Sequence, residues 1–406
     1  MELLPGARSG VNITAAPFPR RSSVQLHPES TPKRFTLDCD LALERQLDAL
    51  CAEAGEAIQQ LISSDALEGM LLGGGYGRGE GGVLKTPDGD RPYNDLEFYV
   101  FVKGPWWLAE RRYQAPLHCY AEQMSARAGL DVEFKVTSLA KLRDSGASMF
   151  YYDLLWGHRW IAGNERLLHG CDHLRDARQI PVMEAVRLLM NRCSGLLFAK
   201  ERLLREVFTS AEADFVQRNI AKAELALGDA VLTLHGQYHW SCLDRNRRLR
   251  ALVEGLPCLP ELQTLHDRGV QFKLHPFRTE ASRRELLDRW DRISNTALTV
   301  FLWLESKRFG TSFPNPLAYS KWQRNKSPEV PGWRALLVNT RARRWSRKIF
   351  RYPRDRVLTA LPLLLWCWDD SPGSEIVTLL QSELRCASSE FRTLVDYYKN
   401  LWTLVN

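Results

Sequence analysis

The chain has 406 residues, 45% of them apolar and 25% charged, with a formal net charge of +7 at pH 7. That length admits two or three domains and a sizeable buried core, and an aromatic content of 10% excludes wholesale disorder. The mild basic balance suits a phosphate-bearing partner, a nucleotide or a nucleic acid, without selecting between them.

Residues 1–36 mix proline, serine and arginine without an apolar period, which predicts a flexible N-terminal arm. No apolar core follows a basic start there, so no secretory signal is read. From Asp38 to Ser64, Leu41, Leu43, Leu47, Leu50, Ala54, Ile58 and Leu61 recur at helical spacing and predict an amphipathic helix. "LEGMLLG" reads as a short strand, "LLGGGYGRGEGG" (Leu71 to Gly82) as a loop, and "NDLEFYVFV" as a strand of near-continuous apolar character. A helix is expected from Trp107 to Ala128. "LDVEFKVTS" then alternates in period two, with Asp131, Glu133 and Lys135 on one face and Val132, Phe134 and Val136 on the other. These elements make an α/β module over residues 37–165.

Beyond it the pattern turns helical. One long helix is expected to start with Pro181 at its first position. A second, "DFVQRNIAKAELALGDAVLTLHG", ends at Gly236, a residue suited to a left-handed cap. Further helices are expected at about 279–308, 355–369 and 373–404. The chain is therefore read as α+β, a mixed sheet with flanking helices followed by an all-α domain over residues 166–406. The longest apolar run, "LPLLLWCW" from Leu361 to Trp368, is far short of the roughly 20 residues a membrane span needs and predicts a buried helix. Nine scattered cysteines without a CxxC pair are read as reduced thiols of a cytoplasmic protein.

The glycine loop is the first chemical signal. "GRGEGG" (Gly77 to Gly82) has the letters of a dinucleotide fingerprint, but a strand follows where a long helix is required. No HRD or DFG segment supports a kinase, and no GK[ST] closes a P-loop. The second signal is Asp95 and Glu97, two residues apart on an expected strand, so both side chains leave the same face. Adjacent carboxylates repel unless a cation lies between them. Magnesium, which takes hard oxygen ligands and completes its shell with water and phosphates, answers that need. The upstream glycines would let backbone amides approach a triphosphate, and Arg78 could neutralise its charge.

"LLGGGYGRGEGG" followed by "NDLEFYV" resembles the signature of the DNA polymerase β-like nucleotidyltransferase superfamily: an apolar strand, paired small residues, a spacer, then Asp-x-Asp/Glu on the next strand. Gly74 and Gly75 match the paired small residues, and Asp95 and Glu97 match the metal-binding carboxylates. The resemblance implies a third carboxylate on a later strand, and Asp131 or Glu133 can fill it. A weaker similarity runs through "YYDLLWGHRWIAGNERLL", "LLMNR" and "NIAKAELALGDAVL" to the helical domain of small-substrate members such as aminoglycoside nucleotidyltransferases. The spacer after Gly75 is longer than in minimal members, and Asn94 stands where a serine is often found. What the resemblance implies is transfer of a nucleoside monophosphate from a nucleoside triphosphate, ATP being the expected donor, to a hydroxyl of a small molecule or protein. Two magnesium ions would sit on Asp95, Glu97 and Asp131 or Glu133, with Gly74, Gly75 and Gly77 around the phosphates. Arg78 would stabilise charge, and Lys222 would do so by family analogy. A non-catalytic nucleotide-binding protein and an RNA-end nucleotidyltransferase are the alternatives.

Two weaker signals remain. His169, Cys171 and His173 alternate, and His235 and His239 are one helical turn apart; either could hold zinc, but the first lacks a fourth ligand and the second lacks the glutamate of HExxH. The stretch from Asn339 to Arg356 has eight basic residues with Trp345, Phe350 and Tyr352 between them. That would suit a nucleic-acid strand, although a helix with arginines in water and aromatics on the core is the preferred reading.

Overall fold

A computed structural model describes residues 34–253, 255–256, 258–341, 350–369 and 371–405. Helix α1 (Leu41–Leu61) starts at Asp40, whose side chain accepts from the Leu43 amide, and buries Leu43, Leu47, Ala54 and Ile58. Leu41 and Leu61, the two ends of the expected stripe, stay exposed. Ordered packing begins before the expected boundary: Phe35 and Thr36 are buried. Glu44 of α1 accepts from both of their backbone amides, at 3.0 and 3.2 Å.

Strand β1 (Leu67–Leu72) is followed by a single helical turn, α2 (Gly74–Gly77), and by a hairpin of β2 (Val83–Thr86) and β3 (Gly89–Pro92). Next come β4 (Leu96–Val102), α3 (Trp106–Ala128), β5 (Val132–Thr137), α4 (Leu139–Arg143), α5 (Met149–Trp156) and β6 (Arg159–Gly163). The main sheet has the order β5-β4-β1-β6, parallel between β4 and β5 and antiparallel at its other two pairings. The mixed sheet was expected; the hairpin, α4, α5 and β6 were not. They are too short and too irregular in apolar spacing to carry a period.

Each face of the sheet has its own core. Met70, Leu72, Phe98, Val100 and Phe134 pack with α1 and α3. Leu71, Tyr99 and Phe101 pack with α4, α5 and Leu167, Leu168 and Leu174. The alternation along β4 and β1 decides which residue goes to which side.

Every regular element after β6 is helical among the described residues. The long ones are α6 (Val182–Leu203), α7 (Ser210–Leu234), α8 (Cys242–Arg250), α9 (Leu259–Leu274) and α10 (Arg283–Phe309). Pro181 lies one residue before α6 as its cap, and Gly236 has φ +65° just beyond α7. Helices α11 (Pro316–Lys321), α12 (Gly332–Arg341), α13 (Pro353–Trp366), α14 (Ser374–Leu384) and α15 (Phe391–Thr403) complete the fold. The expected helix over 373–404 is two, broken where Arg385 takes φ +54°. Leu361, Leu363, Leu364 and Leu365 of α13 are buried in the large helical core with α6, α7 and α10, as their apolar run suggested. Among the described residues no helix is long and apolar enough to cross a membrane.

One buried cation in this helical part has a measurable consequence. Lys326 is 1% exposed, and its ammonium donates to the Trp322 carbonyl at 2.9 Å. Burial and the Arg351 guanidinium push it down to about 8 from an ordinary 10.5. Between those values the unfolded chain binds the proton and the folded chain does not. Stability contributed at this residue therefore rises with pH from about 8 to 10.5. Urea unfolding at pH 7 and pH 9.5 should show that rise in wild type and a smaller one in Lys326→Met; equal slopes would refute it.

Candidate active site

Strand pairing brings the acids together. In the parallel ladder Glu97 of β4 stands opposite Glu133 of β5. Asp95 immediately precedes β4 and Asp131 immediately precedes β5, joined where the Leu96 amide donates to the Asp131 carbonyl at 2.9 Å. Carboxylate oxygens of Asp95, Glu97 and Glu133 all lie within 4.8 Å of one another. Of the two candidates for a third acid, Glu133 joins this group and Asp131 lines the clefts beside it.

The electrostatics match that crowding. Asp95 reaches solvent as a residue, yet its carboxyl is walled by protein and faces Glu97, and both effects raise its pKa. Lys135, two residues beyond Glu133 on the same face, places its ammonium 3.1 Å from Glu97 Oε1 and 3.1 Å from Glu133 Oε2. Burial opposes its charge, but Tyr99, Glu97 and Glu133 outweigh burial and its pKa is raised. Lys135 thus belongs to the site, although it entered the sequence reading only as a member of an alternating face.

The glycine run is tied to these acids. The Gly73 amide donates to the Glu97 carbonyl at 2.9 Å. Gly74 has φ +62°, and a Cβ there would lie 2.8 Å from Glu97 Oε2, so the bare backbone makes room for the carboxylate. Gly77 serves packing instead: its Cβ would lie 2.3 Å from the Leu72 carbonyl oxygen. Gly75 lies between them in the same helical turn. The buried Tyr76 hydroxyl accepts from the Tyr93 and Asn94 amides and donates to the Gly82 carbonyl. The Asn94 side chain in turn accepts from the Gly82 amide at 2.8 Å. Asparagine at this position therefore staples the loop to the strand that presents Asp95.

Arg78 is placed elsewhere. Its guanidinium pairs with Asp153 of α5 at 3.1 Å, and Arg245, Glu80 and the neutral Tyr238 hydroxyl are its other neighbours. A side chain held this way joins the glycine turn to α5. Lys222 fares differently. With Arg218 one turn earlier on α7, it lines a cleft of about 870 Å³ shared with Asp95, Asp131, Tyr93 and Arg278. Burial and the nearby Arg192 and Arg218 charges lower its pKa, and Asp95 pulls it back up. Arg218 on α7 and Arg278 in the segment between α9 and α10, the latter paired with Asp214 at 2.8 Å, had no signal in the sequence, because the chain carries many arginines and only packing selects those that line this cleft.

A second cleft of about 650 Å³ lies on the other side of Asp95, lined by Glu133, Asp131, His118, Glu122 and Ser125. No protein-family model matches the chain, and no curated protein matches it. The chemistry must therefore be argued from this geometry. Three hard oxygen donors within 4.8 Å, with a backbone cradle at Gly74 and a basic cleft adjoining, fit magnesium.

The other candidate ligands do not assemble. Among the described residues the acidic trio is the one group spaced to hold a metal. His173 Nε2 lies 3.1 Å from the Ser145 carbonyl, and Cys171 is fully buried. His235 stacks on Trp303, and His239 Nδ1 accepts from the Ser241 amide. Residues 342–349 of the basic segment lie outside the described residues. Of its described arginines, Arg351 pairs with Glu383 at 2.7 Å and Arg354 with Glu329 at 3.3 Å. Those two guanidinium groups are spent on internal ion pairs.

Proposed function

We propose that the protein is a magnesium-dependent nucleotidyltransferase of the DNA polymerase β-like type, with the nucleotidyltransferase fold over its sheet-bearing part and the helical part closing the cleft. It transfers a nucleoside monophosphate from a nucleoside triphosphate, with ATP the expected donor, to a hydroxyl of a small molecule or protein. The observation that carries this reading is the convergence of Asp95, Glu97 and Glu133 within 4.8 Å beside a cleft lined by Lys222 and Arg218. A bound divalent cation supplies charge stabilisation at the phosphates and a lowered pKa for the attacking hydroxyl. The chain's own part is to hold that cation between the start of β4 and the β4–β5 ladder, and to meet the phosphate charge from α7. Gly74 keeps the Glu97 carboxylate against the loop. The acceptor oxygen bonds to the α-phosphorus as pyrophosphate leaves, and the hydroxyl proton passes to solvent. An RNA acceptor gains no support from the described arginines of the basic segment.

Calorimetry with each ribonucleoside triphosphate, with and without magnesium, tests the reading. Wild type should bind at least one of the four in a magnesium-dependent way. Lys222→Ala and Arg218→Ala should each weaken binding about 10-fold or more, because a hydrogen bond to a charged group is worth about 1.5–3 kcal/mol. Binding of no triphosphate by wild type would refute the proposal.

A further inference from the structure

Among the described residues, Lys135 is the cation seated inside the carboxylate group. Its two ion pairs, both 3.1 Å, use Glu97 Oε1 and Glu133 Oε2, from residues that stand opposite each other across the β4–β5 ladder. The Tyr99 ring, opposite Lys135 in register, closes the third side with its centroid 5.5 Å from the ammonium. Asp95 takes no part in these pairs, and Glu97 Oε2 lies against Gly74, where it accepts from the neutral Tyr99 hydroxyl at 3.4 Å. The group is thus divided in two. One half, between Glu97 and Glu133, already holds a positive charge. The other, between Asp95 and the second oxygen of Glu97, does not.

We infer that Lys135 fills one of the two cation positions that the carboxylates enclose, so that the site takes a single divalent ion, on Asp95 and Glu97, with the lysine ammonium supplying the second positive charge. This rests on the nucleotidyltransferase reading and narrows it. In two-metal sites the ions lie about 3.5–4 Å apart and share carboxylate oxygens. A second ion here would need the oxygens that Lys135 occupies, and would have to evict the ammonium from both. Three carboxylates and one ammonium leave a charge that one divalent ion neutralises. Lys135 is accordingly a positioning residue, fixing Glu97 and Glu133 and setting the number of ions.

The measurement is the number of Mn²⁺ ions bound per chain, counted by electron paramagnetic resonance in the presence of the non-hydrolysable analogue α,β-methylene-ATP, with protein-free controls subtracted. Wild type should bind one, Lys135→Met two, and Lys135→Arg, which keeps the charge, one. Two ions on wild type, or one on a folded Lys135→Met, would overturn the inference and leave the nucleotidyltransferase reading standing. No protein-bound Mn²⁺ on wild type would overturn both.

Discussion

Replacing Asp95 by alanine should remove magnesium-dependent pyrophosphate release by about 10³-fold or more while leaving the thermal midpoint nearly unchanged. The size follows from what a metal-held charge contributes to phosphoryl transfer, several kcal/mol, with each 1.36 kcal/mol worth tenfold in rate. The unchanged stability follows from place. Asp95 precedes β4 rather than lying within it, and it is exposed as a residue. Burial and the Glu97 charge raise the pKa of its carboxyl, so the ionised form is disfavoured in the folded state and its removal relieves that penalty. Asp131→Ala provides the contrast. That residue lines both clefts but stands outside the 4.8 Å group, so its loss should cost far less activity than that of Asp95 or Glu133. Equal losses at 131 and 133 would show that the third acid has been assigned wrongly.

The largest stability effect is expected at Asp229. Its carboxylate, on α7, lies 2.7 Å from Arg245 Nε and 3.2 Å from His266 Nε2, and all three residues are buried. Arg245 Nη1 donates to the His239 and Trp240 carbonyls, and beyond it Asp153 accepts from Arg78 and from the Tyr238 hydroxyl. Burial would raise the pKa of Asp229, but Arg245 and His266 outweigh burial and hold it below the ordinary value. Its contribution is therefore present at neutral pH and is lost only as pH falls through that depressed pKa. Asp229→Ala leaves two buried guanidinium groups sharing Asp153. Breaking a buried pair in this way costs about 3–5 kcal/mol. Urea denaturation at pH 7 measures it, and a loss below about 1 kcal/mol would mean that water or Glu80 takes over the missing charge.

How far the sequence could be read depended on which interactions carry a local signature. The α1 helix, the β4 strand and the α7 helix each advertise a period or an apolar run, and each forms where expected. Asp95 and Glu97 were legible because acids at the mouth of an apolar strand have no structural reason to be there. The choice of Glu133 over Asp131 was not, since both share one facing and only the β4–β5 register separates them. The Arg78 partner was not legible, because a cation inside a glycine run is equally suited to a phosphate and to an aspartate of α5, and that aspartate lies 75 residues away in sequence. The buried network of Arg245, Asp229 and His266 likewise joins helices that no local pattern connects.

The β2–β3 hairpin, which lengthens the spacer between the glycines and Asp95, also offers a vantage point. Its turn end is fixed by Lys85 and Asp90 at 2.8 Å and by the Asp90 amide on Asp40. Leu84, Arg91 and Pro92 form part of the wall of the basic cleft. Asp88 at the turn has its side chain 82% exposed. A fluorophore attached there would be anchored by a rigid ribbon at the edge of the cleft, remote from the acids themselves. It could report the arrival and departure of ligands, with Arg91 of the cleft wall losing only a solvent-exposed ion pair to Asp88 at 3.7 Å.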